Sequence, residues 1–359
     1  MTLKLILILI FITLTILAFI AEWMVVKIAY KNKLFDKPNE RKIHLAKIPR
    51  LGGVVIFPII VIGIVIVRFA DLHLFKSLFS HTHLELLAIV ASLAVVYFCG
   101  IADDLIGIRY RNKFVAQIFS GIVLCLCGVT INNLHGFLFI GQLPDALSWF
   151  FTILAVIYVS NAINFIDGID GLAASLSIIA LVYYALMFMS LSMKGLVVVC
   201  GFVCIALFAL LTFNMFGKPE KNKVFMGDAG SLTLGVFVCI CGILTLHHSG
   251  GSLLASKNPF IVATAPLFLP CFDVVRVVVY RLNHKSNIFE ADKSHIHHKL
   301  LDLGLSQRKA LFIILAVDLF MIAVASVSMS FLGANSIILL EMAIFTLVIL
   351  LINRKLKQN

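Results

Sequence analysis

The segment LILILIFITLTILAFI, residues 5–20, contains no charged side chain, and its apolar character continues to Tyr30. A run of this length allows one α-helix to cross the roughly 30 Å hydrocarbon core of a bilayer. Similar runs recur along the 359 residues, of which 61% are hydrophobic and 13% charged. Because soluble domains do not show this composition, the sequence predicts an all-α integral membrane protein.

Apolar windows predict about eleven transmembrane helices. They cover residues 5–30, 52–69, 84–101, 113–130, 147–160, 172–191, 196–213, 232–248, 258–280, 309–330 and 336–352. The connections are too short for a soluble domain, so residues 1–359 are expected to form one polytopic domain. The first window is longer than a signal-peptide core and lacks a cleavage site, so we expect a retained helix. The eight cysteines all lie in apolar windows, which indicates buried small hydrophobes rather than metal or redox groups.

The basic residues predict the orientation. If the loop after the first helix is cytoplasmic, 22 of the 29 Lys and Arg residues fall on the cytoplasmic side. The positive-inside rule then places the amino terminus outside and the carboxyl terminus in the cytoplasm. A basic face against anionic lipid explains the net charge of +11 without nucleic-acid binding. The predicted cytoplasmic loops are 31–51, 101–113, 161–171, 214–231 and 281–309.

Asp103 and Asp104 follow the third predicted helix directly. The helix dipole disfavours negative charge at this end, and adjacent carboxylates repel each other, so a nearby cation is expected. Oxygen ligands without cysteine indicate magnesium, which completes its shell with water and phosphate. Two solvated loop acids are the alternative.

Asn161, Asn164, Asp167 and Asp170 follow one another at steps of three. This spacing places them on one face of a helical turn. Hydrogen bonding between helices is one explanation, but two acids and two amides within ten residues exceed what it requires. We therefore predict a functional site.

The segment FMGDAGS, residues 225–231, leads into the eighth predicted helix. A glycine-flanked loop at a helix N-terminus exposes backbone N–H groups that suit a phosphate, and Asp228 can hold a magnesium ion that bridges it. An ordinary helix cap is the alternative.

The segment DKSHIHH, residues 292–298, combines three histidines with a lysine. Zinc would require a fourth ligand or a cysteine that the loop does not provide, so binding of a diphosphate is favoured. The members with predicted contacts are Lys293, His295, His297 and His298.

The first cytoplasmic loop contains His44 and Arg50 and ends in Gly52-Gly53, whose backbone could approach a lipid phosphate. A simple positive-inside loop is the alternative. Further along the chain, Asp273 and Arg276 are three residues apart on the ninth predicted helix, and we expect them to form a structural pair.

Five motifs occur in the order typical of a known family: RKIH with PRLGG, DD, NAINFIDGIDGL, FMGDAGS and HIHH. Over nearly its whole length the chain resembles the bacterial polyprenyl-phosphate N-acetylhexosamine-1-phosphate transferases of glycosyltransferase family 4. The phospho-N-acetylmuramoyl-pentapeptide transferases resemble it more distantly. The resemblance implies transfer of N-acetylglucosamine 1-phosphate from UDP-GlcNAc to undecaprenyl phosphate, with release of UMP. It also implies Mg²⁺ as cofactor, with Mn²⁺ as a substitute.

The resemblance further implies roles for individual residues. Those in the catalytic or nucleotide-side positions are Asp103, Asp104, Asp167 and Asp170. Those in the metal positions are Asn164 and Asp228. Those in the substrate-binding positions are Lys113, Asn161, Asn214, Lys293, His295, His297, His298, His44 and Arg50. Two departures stand out, since residues 214–223 form a longer segment than the family's turn, and Lys293 replaces an arginine, as in the teichoic-acid branch.

The reaction implied is attack by the lipid phosphate oxygen on the sugar-bearing phosphorus, with Asp103 orienting or deprotonating the nucleophile. A phosphate monoester is largely ionised at neutral pH, since its second pKa is about 6, so a strong base is not required. A covalent aspartyl intermediate is the alternative. A transporter of lipid-linked sugars is less favoured, because the acids lie at one membrane edge and the motifs show no inverted repeat.

The expected setting is the bacterial inner (plasma) membrane, with a cytoplasmic active site. The step would be the first membrane step of O-antigen, capsule or teichoic-acid type polysaccharide synthesis. The expected partners are a polyprenyl phosphate, a UDP-sugar and membrane lipids, without nucleic acid. A homodimer is the candidate assembly.

Overall fold

The computed structural model describes residues 3–35, 47–70, 83–248, 258–284 and 294–358. Within these ranges the chain forms helices joined by turns, without strands. The α-helices are α1 (Leu3–Lys31), α2 (Ile56–Ala70), α3 (His83–Ile106), α4 (Tyr110–Leu126), α5 (Asp145–Ile166), α6 (Leu172–Ser190), α7 (Lys194–Phe216), α8 (Gly227–His247), α9 (Pro259–Thr264), α10 (Phe268–Asn283), α11 (Ile296–Asp302), α12 (Gln307–Ser328) and α13 (Ala334–Leu356). The predicted all-α membrane fold is confirmed.

Ten of the described helical segments are long and apolar enough to cross a membrane, with α9 and α10 joined into one. The sequence predicts about eleven, and the difference is the window 113–130. There α4 has 17 residues, or about 25 Å at 1.5 Å per residue, which is shorter than a typical hydrocarbon core. The window extends past the helix because residues 127–130 are largely apolar, but Gly128 adopts a left-handed backbone (φ 79°) after the helix end.

Two helices that carry predicted site residues extend further than their apolar windows. The window of α3 ends at residue 101, yet the helix continues to Ile106 and includes both adjacent acids. The window of α5 ends at residue 160, and the helix continues to Ile166. The prediction that Asp103 and Asp104 follow their helix is therefore wrong, because both lie in its last turn.

α8 is the centre of the bundle. Its side chains are apolar around most of the helix, and every residue from Ala229 to Leu246 is buried. Such a helix must be surrounded by protein, and it contacts α2, α3, α5, α6 and α9. Small residues allow close approach, since a Cβ at Gly235 would lie 2.7 Å from the Cα of Ser160 on α5. The helices that carry the acids and amides are thus held against α8.

We expect Gly235→Ala to destabilise the protein, because the added methyl group overlaps the α5 backbone. Overpacking of this kind costs about 1–3 kcal/mol, more than the roughly 1 kcal/mol that alanine gains over glycine in helix propensity. Thermal unfolding in detergent measures the effect. Gly141→Ala is the matched control, since a Cβ at Gly141 meets no atom within 4 Å. Equal unfolding temperatures for the two variants would contradict close packing of α5 on α8.

Candidate active site

Two loops lie side by side where α8 begins. The N–H of Phe225 donates to the carbonyl of Pro49 (2.8 Å), Gly52 N–H donates to Phe225 (3.0 Å), and Gly53 N–H donates to Met226 (2.8 Å). Gly52 and Gly53 are buried, and a Cβ at Gly53 would press against the α8 backbone. The expectation that these glycines offer free backbone to a lipid phosphate is therefore wrong. They serve instead to pack the Arg50 loop onto α8.

Asp104 caps α8 from the neighbouring helix α3. Its Oδ1 accepts from the backbone N–H of Asp228 (2.8 Å), and its Oδ2 accepts from that of Ala229 (2.9 Å). Free N–H groups at a helix start require such partners. Two of the N–H groups predicted to bind a phosphate are thus already bonded to the carboxyl group of Asp104.

Asp103, Asp228 and Lys113 form an ionic cluster at the ends of α3, α8 and α4. The ammonium group of Lys113 contacts Oδ2 of Asp103 (2.8 Å) and Oδ2 of Asp228. Asn164 on α5 donates to Oδ1 of Asp228 (3.1 Å) and to the hydroxyl of Ser231 (2.8 Å). The three charged side chains remain 14–21% exposed, so a ligand can reach them. The structure therefore brings Asp228 together with Asn164 and Lys113, which precede it in the chain by 64 and 115 positions.

This donor set fits a magnesium ion. The carboxylates of Asp103 and Asp228 come from different helices and meet at the ammonium group of Lys113. The side-chain amide of Asn164 lies beside Asp228. Mg²⁺ is usually held by one or two carboxylates, with water and substrate phosphate filling its remaining positions. Among the described residues, no group of three or more His, Cys, Asp or Glu could hold a metal ion by itself.

Asn161 faces a different partner from Asn164. Its amide donates to Oε1 of the fully buried Gln117 on α4 (2.9 Å) and to the carbonyl of Ile157 (2.7 Å). Asn161 thus makes a hydrogen bond between two helices. Such bonding was the alternative explanation for the series of polar residues at steps of three. Sequence reasoning missed Gln117, whose only signal is an amide inside an apolar window.

Asp170 is paired with Lys223, a residue that the sequence analysis did not select. The Lys223 ammonium contacts Oδ2 of Asp170 at 2.5 Å, and both side chains are largely buried. The sequence offers no signal for this pair, because Lys218 and Lys221 of the same loop are exposed and only Lys223 is buried.

Asn214 holds the turn that carries Asp167 and Asp170. Its Oδ1 accepts from Gly171 N–H (2.7 Å), and its amide donates to the carbonyl of Val224 (2.8 Å). Both ends of this buried side chain are therefore bonded to backbone.

The charged groups of Asp228, Arg50 and Asp170 act on Asp167. Burial and the negative charges of Asp228 and Asp170 raise its pKa, the guanidinium of Arg50 opposes them, and the resulting pKa is about 7. Asp167 is therefore only partly ionised at neutral pH.

The histidine motif lies against the same turn. His297 packs on Gly168, where any side chain would overlap its ring. Burial, together with the neighbouring His298 and His295, lowers the pKa of His297 to about 3, so this imidazole is neutral at pH 7. Any diphosphate contact by His297 is then a hydrogen bond and not an ion pair.

Asp273 and Arg276 form the predicted pair on α10, with Oδ1 of the acid 2.6 Å from the guanidinium. The pair also reaches the histidine motif, because Nδ1 of His295 lies 2.8 Å from Oδ2 of Asp273. This connection was not predicted. Two predicted site residues, His44 and Lys293, lie outside the described residues.

Known proteins resemble the chain throughout this region. A sequence profile described as Glycosyl transferase family 4 matches residues 86–246. A probable undecaprenyl-phosphate N-acetylglucosaminyl 1-phosphate transferase of Bacillus subtilis (strain 168) is 32% identical over 331 residues, covering 91% of this chain and 85% of the relative. The undecaprenyl-phosphate alpha-N-acetylglucosaminyl 1-phosphate transferase of Escherichia coli (strain K12) is 29% identical, with coverages of 80% and 74%.

A decaprenyl-phosphate N-acetylglucosaminephosphotransferase of Mycobacterium tuberculosis (strain ATCC 25618 / H37Rv) is 28% identical over 315 residues, covering 84% of this chain and 77% of the relative. These relatives and the profile support the family that the motifs of the sequence resemble. The chain belongs to glycosyl transferase family 4, among the polyprenyl-phosphate N-acetylhexosamine-1-phosphate transferases.

Proposed function

We propose that this protein transfers N-acetylglucosamine 1-phosphate from UDP-GlcNAc to undecaprenyl phosphate and releases UMP. The observation that carries the proposal is the meeting of Asp103, Asp228 and Lys113 at one end of membrane-spanning helices. A lipid phosphate and a soluble nucleotide can reach the same point only at such an edge. The names of the relatives support a polyprenyl-phosphate acceptor and N-acetylglucosamine phosphate as the transferred group.

The proposed setting is the cytoplasmic face of the bacterial inner (plasma) membrane, and the proposed role is the first membrane step of a surface-polysaccharide pathway. The distribution of Lys and Arg supports this orientation. A UDP-sugar is the donor that would be available on that side. The homodimer stays a prediction.

In the proposed reaction, an oxygen of the lipid phosphate forms a bond to the sugar-bearing phosphorus, and the bond from that phosphorus to UMP breaks. Such transfers depend mainly on positioning and charge neutralisation. Asp103 orients the lipid phosphate, and Lys113 supplies positive charge beside it. Asp104 keeps the start of α8, and with it Asp228, in place. Asp167 and Asp170 face the nucleotide side, with Lys223 fixing Asp170.

Asp103, Asp228 and Asn164 are the residues that would hold Mg²⁺. When bound there, the ion would neutralise charge on the diphosphate of the donor. Mn²⁺ has the same preference for oxygen ligands and is the expected substitute.

We expect Asp228→Ala to lower kcat/KM about 10²–10³-fold, the usual effect of removing one group that stabilises transition-state charge. UMP release from UDP-GlcNAc and undecaprenyl phosphate, with Mg²⁺ or with a chelator, measures it. The wild-type enzyme should lose activity with the chelator and regain it with Mg²⁺. Activity that resists both the substitution and chelation would refute the metal assignment.

The two adjacent acids should differ when each is changed to asparagine. In Asp104→Asn, one of the two α8 N–H groups faces the side-chain NH₂ group and loses its acceptor. An unsatisfied buried donor costs about 1–3 kcal/mol, so the unfolding temperature should fall. Asp103→Asn should lower kcat with a smaller change in unfolding temperature, because its partner Lys113 keeps its ionic contact with Asp228. The outcome that contradicts this division is an unfolding temperature unaffected by Asp104→Asn.

The raised pKa of Asp167 predicts a pH-dependent affinity for the cation. Below about pH 7 the carboxyl is protonated and adds no negative charge beside Asp228, whereas above it the carboxylate favours a bound cation. The Mg²⁺ concentration for half-maximal UMP release should therefore fall as the pH rises from 6 to 8. Asp167→Asn is the control and should show a weaker pH dependence. Identical profiles for the two proteins would rule out Asp167 as the titrating group.

A covalent aspartyl intermediate is tested by incubating the enzyme with labelled UDP-GlcNAc and Mg²⁺ without lipid. Direct attack predicts neither label on the protein nor exchange of label between UDP-GlcNAc and UMP. Label on the protein, or exchange of label between UDP-GlcNAc and UMP, would show the two-step route instead.

A further inference from the structure

Asp273 is a fully buried carboxylate on α10 whose two oxygens each have two partners. Oδ1 accepts from Nε and Nη2 of Arg276, at 3.1 and 2.6 Å. Oδ2 accepts from Nδ1 of His295 (2.8 Å) and from the backbone N–H of Ile296 (3.3 Å). Oδ2 of Asp273 therefore binds two groups of the histidine motif.

Arg276 completes the attachment of this motif to α10. Besides holding Asp273, its Nη2 donates to the carbonyl of Ser294 at 2.5 Å. The acid and the guanidinium thus bind the backbone on both sides of His295. The position of its Cα and the rotation of its ring are then fixed from α10.

The hydrogen bond to Asp273 also selects the tautomer of His295. A carboxylate can only accept, so Nδ1 must carry the hydrogen and Nε2 is left for another partner. The centre of the His295 ring lies 6.0 Å from that of Phe165, the residue that follows Asn164 on α5. The His295 ring also stacks on the His297 ring, with the two centres 5.8 Å apart and an angle of 6° between the planes. His295 is therefore presented to the side of the site that carries the Asp167 turn.

We propose that Asp273 is a positioning residue for the phosphosugar transfer, holding His295 so that Nε2 faces the diphosphate of the donor. This inference rests on the proposed function. A structural contact between helices would not require a buried charge, since apolar side chains of similar volume pack as well or better. Asp318 on α12 offers the contrast, because it is equally buried but its oxygens have no hydrogen-bond partner.

A double-mutant cycle on the full-length protein tests the inference. Asp273→Asn, His295→Gln and the double variant are compared with wild type for UMP release from UDP-GlcNAc and undecaprenyl phosphate. Loss of a group that orients a functional histidine typically costs about 10–100-fold. We expect Asp273→Asn to lower kcat by this factor with little change in the KM for the lipid. In the His295→Gln background the same change should cost less than about twofold, because the two residues act as one unit.

Asp318→Asn is the matched control, a buried membrane acid changed in the same way, and should retain activity within about twofold of wild type. Equal losses from Asp273→Asn in both backgrounds, or full activity of Asp273→Asn, would overturn the inference. If Asp273→Asn does not fold, Arg276→Gln replaces it in the same cycle with the same expected coupling. An inactive wild type would defeat the proposed function itself, whereas an active wild type with additive losses would defeat only this inference.

Discussion

The start of α8 lies against the end of α3, and two of its free N–H groups find their partners there. Asp104 provides them from α3, with both carboxylate oxygens bonded to the first N–H groups of α8. This contact fixes the end of α3 against the beginning of α8. Asp103, one residue earlier, is then directed to Lys113 and Asp228. The position of the ionic cluster therefore depends on these two hydrogen bonds between α3 and α8.

Adjacent residues on a helix point in directions about 100° apart, since a turn contains 3.6 residues. Asp103 and Asp104 accordingly have different partners, since the first contacts Lys113 and the second binds the backbone of α8. Asn161 and Asn164 differ in the same way, although they are three residues apart. The first binds Gln117 on α4, whereas the second binds Asp228 and Ser231 on α8. Sequence motifs group such residues together, but the packing of α5 between two helices separates their partners.

Hydropathy was sufficient to predict the membrane fold, because a long apolar helix has few alternatives to crossing a bilayer. It could not predict where α3 and α5 end, since those last turns are polar and are stabilised by contacts with α4 and α8. The pairing of Lys223 with Asp170, and of His295 with Asp273, was likewise missed. The residues of each pair are 53 and 22 positions apart, and only the folded arrangement of helices brings them together. Motif order identified most members of the site, but not which of them act on ligands and which hold others in place.

Charge balance connects the arrangement of the site to the proposed chemistry. Asp103, Asp104, Asp167, Asp170 and Asp228 are gathered around Lys113, Lys223 and Arg50. These five acidic side chains outnumber the three cations, and burial together with the charges of Asp228 and Asp170 raises the pKa of Asp167 to about 7, so that it is partly protonated at neutral pH. Both proposed substrates are anions, so their binding would add negative charge beside these acids unless another positive charge entered with them. This reasoning supports a divalent cation at Asp103 and Asp228, where Lys113 now provides the only charge shared by the two acids within the described site. With the ion in that position, the lysine would be available to neutralise the lipid phosphate.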